Sequence, residues 1–364
     1  MKAQKFKFGI LFIFIVAFGL TTAYTIQDEF TKKYHEEFDT NKNTELIIQN
    51  KFGEVDIKDW DKNLVEIDVV ITVEHPDKER AERILSMFSV EISQEGNTIK
   101  AITKIDEKFH RMNRSWGNKG KRFSIDYTVN MPKDLKLDLS NKYGNTFINE
   151  LTGEVSIEIK YGNLKANKIL RSNTKPLSKL TLGYGKATIE EANWLKLDVK
   201  YCKGKGVEIS KCKALVIVSK YSNIYVNEGS SIVAESKYDD YEIGHVTNFV
   251  CESGYTSYKF EQIDKKFDLT TKYGSVKVGY IPKDFESIKI SNEYGGITLG
   301  IDENASYYLK GEAKYGKIQH PESGKLSRII ENTSSSVDGI IGSEESPKAK
   351  VNIWTKYGSV KLYD

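Results

Sequence analysis

A Lys-Tyr-Gly element, or a near variant of it, returns so often in this chain that any fold must accommodate it as a structural period. It stands at Lys142-Tyr143-Gly144, Lys160-Tyr161-Gly162, Gly183-Tyr184-Gly185, Lys200-Tyr201-Cys202, Lys220-Tyr221-Ser222 and Lys237-Tyr238-Asp239. It continues at Gly254-Tyr255-Thr256, Lys272-Tyr273-Gly274, Glu293-Tyr294-Gly295, Lys314-Tyr315-Gly316 and Lys356-Tyr357-Gly358. Successive tyrosines to Tyr315 lie 18, 23, 17, 20, 17, 17, 18, 21 and 21 residues apart, and the final gap of 42 reads as two turns of 21. Self-similarity at such a period marks stacked repeats, in which each unit covers the apolar face of its neighbour.

Each tyrosine follows strand alternation of its own parity, as in Val155, Ile157, Ile159 or Leu195, Leu197, Val199 or Phe267, Leu269, Thr271. Period two puts these side chains on one face and the lysine on the other. After the tyrosine the phase slips, and the next inward residues are Val276 and Val278, Ile297 and Leu299, Val360 and Leu362. A strand, a small residue tolerant of unusual φ/ψ and a second strand out of phase describe a corner. Hairpins would need a reversal signal after every strand, whereas here one feature returns once per period, so like stacks on like in parallel. The expected fold is all-β, a right-handed parallel β-helix or solenoid with coils of 17–23 residues. In that register Ser219, Ser236, Ser253, Thr271, Asn292 and Thr355 form an internal hydrogen-bonding ladder, and the tyrosines form one column from Tyr143 to Tyr357 at about 4.8 Å per strand. Lys160, Lys200, Lys237, Lys272 and Lys314 run outside, beside Glu158, Asp198, Glu235, Glu252 and Glu312. Acidic companions of this kind suit a solvated face better than a polyanion site.

Residues 1–23 are expected to be a secretory signal peptide. Lys2, Lys5 and Lys7 precede the apolar run from Phe8, and Thr21-Thr22-Ala23 offers small residues for cleavage. Its 16 residues from Phe8 to Ala23 fall short of the roughly 20 that a spanning helix needs. Residues 24–129 then form an N-terminal β region with a capping helix at about 76–88, opened by Pro76 and carrying Ala81, Ile84, Leu85 and Phe88 on one face. Asn50-Lys51-Phe52-Gly53 is an early copy of the repeat with Phe in the Tyr position. Residues 130–364 form the solenoid proper, continuous with the preceding region. Glu107–Arg122 and Glu331–Lys348 read as exposed excursions.

Without residues 1–23 the formal charge falls from +3 to 0, which argues against nucleic acid as a partner. Cys202, Cys212 and Cys251 lack C-x-x-C spacing and form neither a disulfide scaffold nor a zinc site, and Cys212 and Cys251 sit in runs that read as buried strands. His35, His75, His110, His245 and His320 are isolated, with no short-spaced metal motif. Asp239-Asp240 is the one acidic pair on a corner, but adjacent residues there diverge to opposite faces, whereas glycoside hydrolysis needs two carboxyls across one bond. The sequence therefore nominates no catalytic, cofactor-binding or metal-binding residue. Cys202, Ser222, Asp239 and Thr256 replace the corner glycine on four successive repeats and form the candidate contact patch.

Asn50-Lys51-Phe52-Gly53-Glu54-Val55-Asp56-Ile57 with Asp59-Trp60-Asp61, the strand Ile125 to Val129 leading to Met131-Pro132, and the Tyr-Gly repeats together carry a family likeness. The chain resembles the bacterial putative-adhesin family of unknown function, close to the head domains of Bacteroidetes-type autotransporter-like adhesins. The resemblance implies a β-solenoid at the cell envelope. With the acids and bases scattered and unpaired, the expectation is a non-catalytic protein without cofactor, in the periplasm, at the outer membrane or on the cell surface, with a protein or glycan partner. Some relatives look associated with envelope-stress regulation, which makes a periplasmic component the alternative. A β-helix carbohydrate-active enzyme is the remaining rival.

Overall fold

The computed structural model describes residues 28–109, 123–322 and 324–364; the expected signal segment and His110 lie outside them. Among the described residues the chain is all-β, with 27 strands in one continuous sheet and a helix at Lys78–Leu85. Strands that precede a corner pair in parallel with their counterparts one repeat away: Glu45–Lys51 with Lys136–Lys142, then Val155–Lys160, Ser178–Gly183 and Leu195–Lys200. Strands that follow a corner do the same, from Val55–Trp60 through Thr146–Leu151 and Leu164–Ile169 to Ala187–Ala192. From Val207 onward the two segments fuse into long strands, Val207–Lys220, Asn223–Lys237, Asp240–Gly254 and Ser257–Lys272, each paired in parallel with the next. Inward parity holds along this stack, with Ile159, Leu197, Val199 and Leu269 fully buried. A slip of one residue would turn each of them to solvent, so the alternation fixes the register.

The corner differs from the sequence-based expectation in its division of labour. The left-handed conformation falls on the aromatic residue, with φ +72° at Phe52 and between +52° and +62° at the eleven tyrosines. This conformation costs a non-glycine residue about 1–2 kcal/mol. It also turns the ring outward, and Tyr273 at 40% and Tyr315 at 56% bracket nine exposed corner tyrosines. Each inner ring then stacks on two others, and at about 0.5–1.5 kcal/mol per pair that offsets the strain. The following glycine is needed for a different reason, since a Cβ on Gly162 would lie 1.9 Å from the Gly144 carbonyl oxygen. Backbone rests on backbone there.

The carboxy-terminal end corrects the expected order. Ala349–Lys356 lies between Ser287–Glu293 and Tyr307–Lys314, parallel to both. Val360–Tyr363 likewise lies between Ile297–Ile301 and Ile318–Gln319. The ring order is accordingly Tyr294, Tyr357, Tyr315. The gap of 42 is not two further turns. Within it Gly324–Glu331 and Ser334–Ile341 form an antiparallel hairpin on Tyr307–Lys314, where an exposed excursion was expected. Ser334, Ser335 and Ser336 masked the start of this strand, whose buried apolar residues, Val337 and Ile341, come only after them.

At the other end antiparallel strands close the stack. Phe123–Pro132 pairs in parallel with Val55–Trp60, and Leu64–Glu74 and Glu29–Asp39 follow outward, each antiparallel to the strand before it. The hairpin Phe88–Glu95/Thr98–Ile105 lies beside Glu45–Lys51. The helix is shorter than the expected 76–88; Asp77 caps it by accepting the Arg80 N–H at 3.1 Å. It packs on Glu29–Asp39 and Leu64–Glu74, with Ala81 and Ile84 buried. Phe109, expected in an exposed loop, is buried against Phe88 and Phe123 at 4.9 and 5.1 Å.

Candidate binding surfaces

The corner replacements expected to form an outer patch are interior. Cys202, Ser222, Asp239 and Thr256 are at most 2% exposed. Their side chains serve the backbone of neighbouring corners: Cys202 N–H donates to Ser222 Oγ at 3.2 Å, Ser222 N–H to Asp239 Oδ1 at 2.7 Å, and Asp239 N–H to Thr256 Oγ1 at 3.4 Å. Asp239 Oδ2 also accepts from the Ser219 and Ser236 hydroxyls, each at 2.7 Å, and from Lys237 N–H at 3.1 Å. A buried carboxylate given this many donors is tolerable, and without them it would be very costly. Ser253 Oγ donates to Thr271 Oγ1 at 2.7 Å, which extends the same internal row. Asp240 points outward, 3.6 Å from Lys203 Nζ, so the acidic pair does not meet across one bond.

Other candidate groups are dispersed. His245 lies 2.7 Å from Asp264 and His35 2.8 Å from Asp68, both exposed. The Asp68 hydrogen bond raises the imidazole of His35 above its ordinary value. His75 and His320 contact the carbonyls of Asp77 and Pro321. All three cysteines are free thiols. Burial pushes Cys212 and Cys251 up to about 12, away from nucleophilic thiolate. Among the described residues no three His, Cys, Asp or Glu side chains gather as a metal site.

Two outer features remain. The first is a ribbon of rings from Phe52 through the corner tyrosines, with centroids 5.2 Å apart for Phe52 and Tyr143 and 4.6 Å for Tyr255 and Tyr273. Their planes are within 20° of parallel, as at Tyr238 and Tyr255. Ring faces are thus spent on one another, and the ribbon offers solvent its edges and hydroxyls. Lysines run alongside: Lys220 and Lys237 lie 5.3 and 5.4 Å from the centroids of the adjacent tyrosines. Lys160, Lys200 and Lys314 pair with Glu158, Asp198 and Glu312 at 2.6, 3.2 and 3.5 Å, whereas Lys272 reaches Glu293 at 3.1 Å.

The second feature is a trough of about 750 Å³ on the outer face of the carboxy-terminal strands. Ser291, Trp354, Glu312, Ser336 and Ile329 follow one another across five paired strands. The outward parity of Trp354 is legible in the sequence beside inward Ile353 and Thr355. Its neighbours are not, because they depend on the inserted position of the last strand.

No family model matches the chain, and no curated protein is similar to it. Solved structures with likeness to it include a putative cell adhesion protein from Clostridium sporogenes, 10% identical over 92% of this chain and 99% of that one, with a TM-score of 0.19. A putative lipid binding protein from Parabacteroides distasonis is 11% identical over 91% and 97%, with a TM-score of 0.32. A putative adhesin from Parabacteroides merdae is 12% identical over 92% and 97%, with a TM-score of 0.23. Likeness at this level decides nothing about what this chain binds. No helix among the described residues is long and apolar enough to cross a membrane.

Proposed function

We propose that this chain is a non-catalytic, exported cell-envelope protein that binds a protein or glycan partner along the outside of a right-handed parallel β-solenoid. The two parallel ladders support the winding, because each repeat meets the equivalent strand of its neighbour on both sides of the corner. In this reading residues 1–23 direct export, and residues 24–129 and 130–364 form one continuous body.

One observation carries the functional reading. The side chains that recur are used up in building the stack, through corner backbone contacts, the buried Ser219-Asp239-Ser236 network and ring-on-ring contacts. What is left outside is a long rigid face, on the order of 50 Å from Phe52 to Tyr315 at one strand spacing per ring. An active site gathers an acid, a base or a nucleophile at neighbouring positions; among the described residues His245 with Asp264 comes nearest, and there the carboxylate is taken up by His245, the Thr247 hydroxyl and the Gln262 amide.

The test is a screen of purified protein against glycans, peptidoglycan fragments and matrix proteins, with product analysis on every hit. Binding without turnover is the expected result, and turnover of any ligand overturns the non-catalytic reading. Protease shaving of intact cells locates the protein: released fragments place it on the surface, and full protection places it in the periplasm as an envelope component.

A further inference from the structure

We infer that the carboxy-terminal trough is a subsite for a neutral β-linked oligosaccharide of two or three gluco-configured rings, with Trp354 as its floor. This rests on the binding role proposed above and names where and what the face binds. In the row of outward positions that ends at Trp354 the preceding repeats carry Asp198, Val218, Glu235, Glu252, Thr270 and Ser291; at Trp354 an indole takes that place. It is flanked by Ser291 and Glu312 on the strands either side. Asn352 lies between Lys289 and Lys310 in the next outward row. The hairpin forms the far wall with Ile329, 57% exposed, and Ser336.

Three observations point to a sugar. The volume, about 750 Å³, lies inside the roughly 300–1,000 Å³ of small-ligand sites. The indole N–H of Trp354, the Lys310 ammonium and the Asn352 amide all line the trough, so donors and an acceptor surround an aromatic face. Charge is balanced, with Lys289, Lys310 and Lys314 against Glu312, Glu331 and Asp338, which favours neither a polyanion nor a polycation. A pyranose with equatorial hydroxyls matches this lining: its C–H face lies on the ring and its rim of hydroxyls meets the amide, ammonium and carboxylate groups. An extended peptide would instead add to the outer edge of Gly324–Glu331, whose partner Ser334–Ile341 lies on its other side.

The chain has four tryptophans, so full-length protein labelled with 5-fluorotryptophan gives few enough ¹⁹F signals to assign, with Trp354→Phe identifying its own. Titration with cellotriose and with the β-1,4 trimer of N-acetylglucosamine is expected to move the Trp354 signal, with maltotriose as the bent control. Trp354→Ala should weaken binding by about tenfold or more, as loss of an aromatic anchor does, and Lys310→Met and Asn352→Ala each by about threefold or more. Trp354→Phe keeps a ring at the site, and its unchanged melting curve separates lost contact from lost fold. A Trp354 signal unmoved by either linear trimer at ~10 mM, above the affinity range of even a weak site, overturns the assignment. So does trimer affinity unchanged in Trp354→Ala, which leaves the binding reading standing at another surface. Cleavage of a bound trimer would overturn the non-catalytic reading while leaving the trough in place.

Discussion

The middle repeats and the carboxy-terminal end follow the same local pattern but are assembled differently. From Val207 to Lys272 each strand lies between its sequence neighbours, and ring order follows chain order through Tyr201, Tyr221, Tyr238 and Tyr255. At the end, residues 349–363 are threaded between two repeats that precede them. A stack of near-identical units specifies how one repeat fits another, and it leaves open which repeat that is. The middle is held from both sides by covalent continuity, while the last two positions close only when the chain's end has arrived.

The largest effects separate the two regions. Leu197→Asp puts a charge between Leu180 and Ile217 in the buried stack and should cost about 3–5 kcal/mol in urea unfolding, as an uncompensated buried charge does. Ile353→Asp is expected to cost as much locally and to open the inserted strand together with Tyr307–Lys314 and its hairpin. Hydrogen exchange should then rise across 307–363 and stay slow across 207–272. Equal acceleration in both would show one cooperative unit and remove the contrast.

Corner chemistry gives the next test. Gly162→Ala drives a Cβ into the Gly144 carbonyl and should destabilise by about 2–3 kcal/mol, the range of overpacking. Ser222→Ala, at the equivalent corner of the polar stretch, loses the hydrogen bond that the hydroxyl accepts from Cys202 N–H and the one it donates to the Lys220 carbonyl, and should cost about 1–2 kcal/mol. A reversed order in thermal melts would show that the glycine is not required by backbone contact.

Alkali should loosen the middle first, because the three cysteines all lie between Cys202 and Cys251. Burial raises Cys212 and Cys251 from 9.0 to about 12. The protonated thiol is the folded form, so their contribution is complete below pH 9 and is lost as pH rises toward 12. The loss is about 1.4 kcal/mol per thiol for each pH unit in that window. Paired urea melts at pH 8.5 and 10.5 check it, and replacing both cysteines by Ala should flatten the difference. An unchanged slope would place the titration elsewhere.

The smallest effect tests the strained tyrosine. At Tyr184, φ +56°, both Ala and Gly lose two ring stackings, but Gly relieves the left-handed strain. Tyr184→Gly should therefore be about 1 kcal/mol more stable than Tyr184→Ala. Equal melting temperatures would mean that the corner relaxes once the ring is gone.

The period, the inward parity of residues such as Ile157 and Leu197, and the internal row from Ser219 to Thr271 were all readable along the chain. Those are local properties of alternation along a strand, and they repeat wherever the pattern does. The outward turn of each tyrosine, the burial of Cys202, Ser222, Asp239 and Thr256, the hairpin at Ser334 and the rung order of Tyr294, Tyr357 and Tyr315 follow only from the assembled sheet. Each depends on which backbone lies above and below. Residues many positions apart, such as Trp354 and Glu312, become neighbours only because every repeat offers the same edge and chain connectivity selects among them.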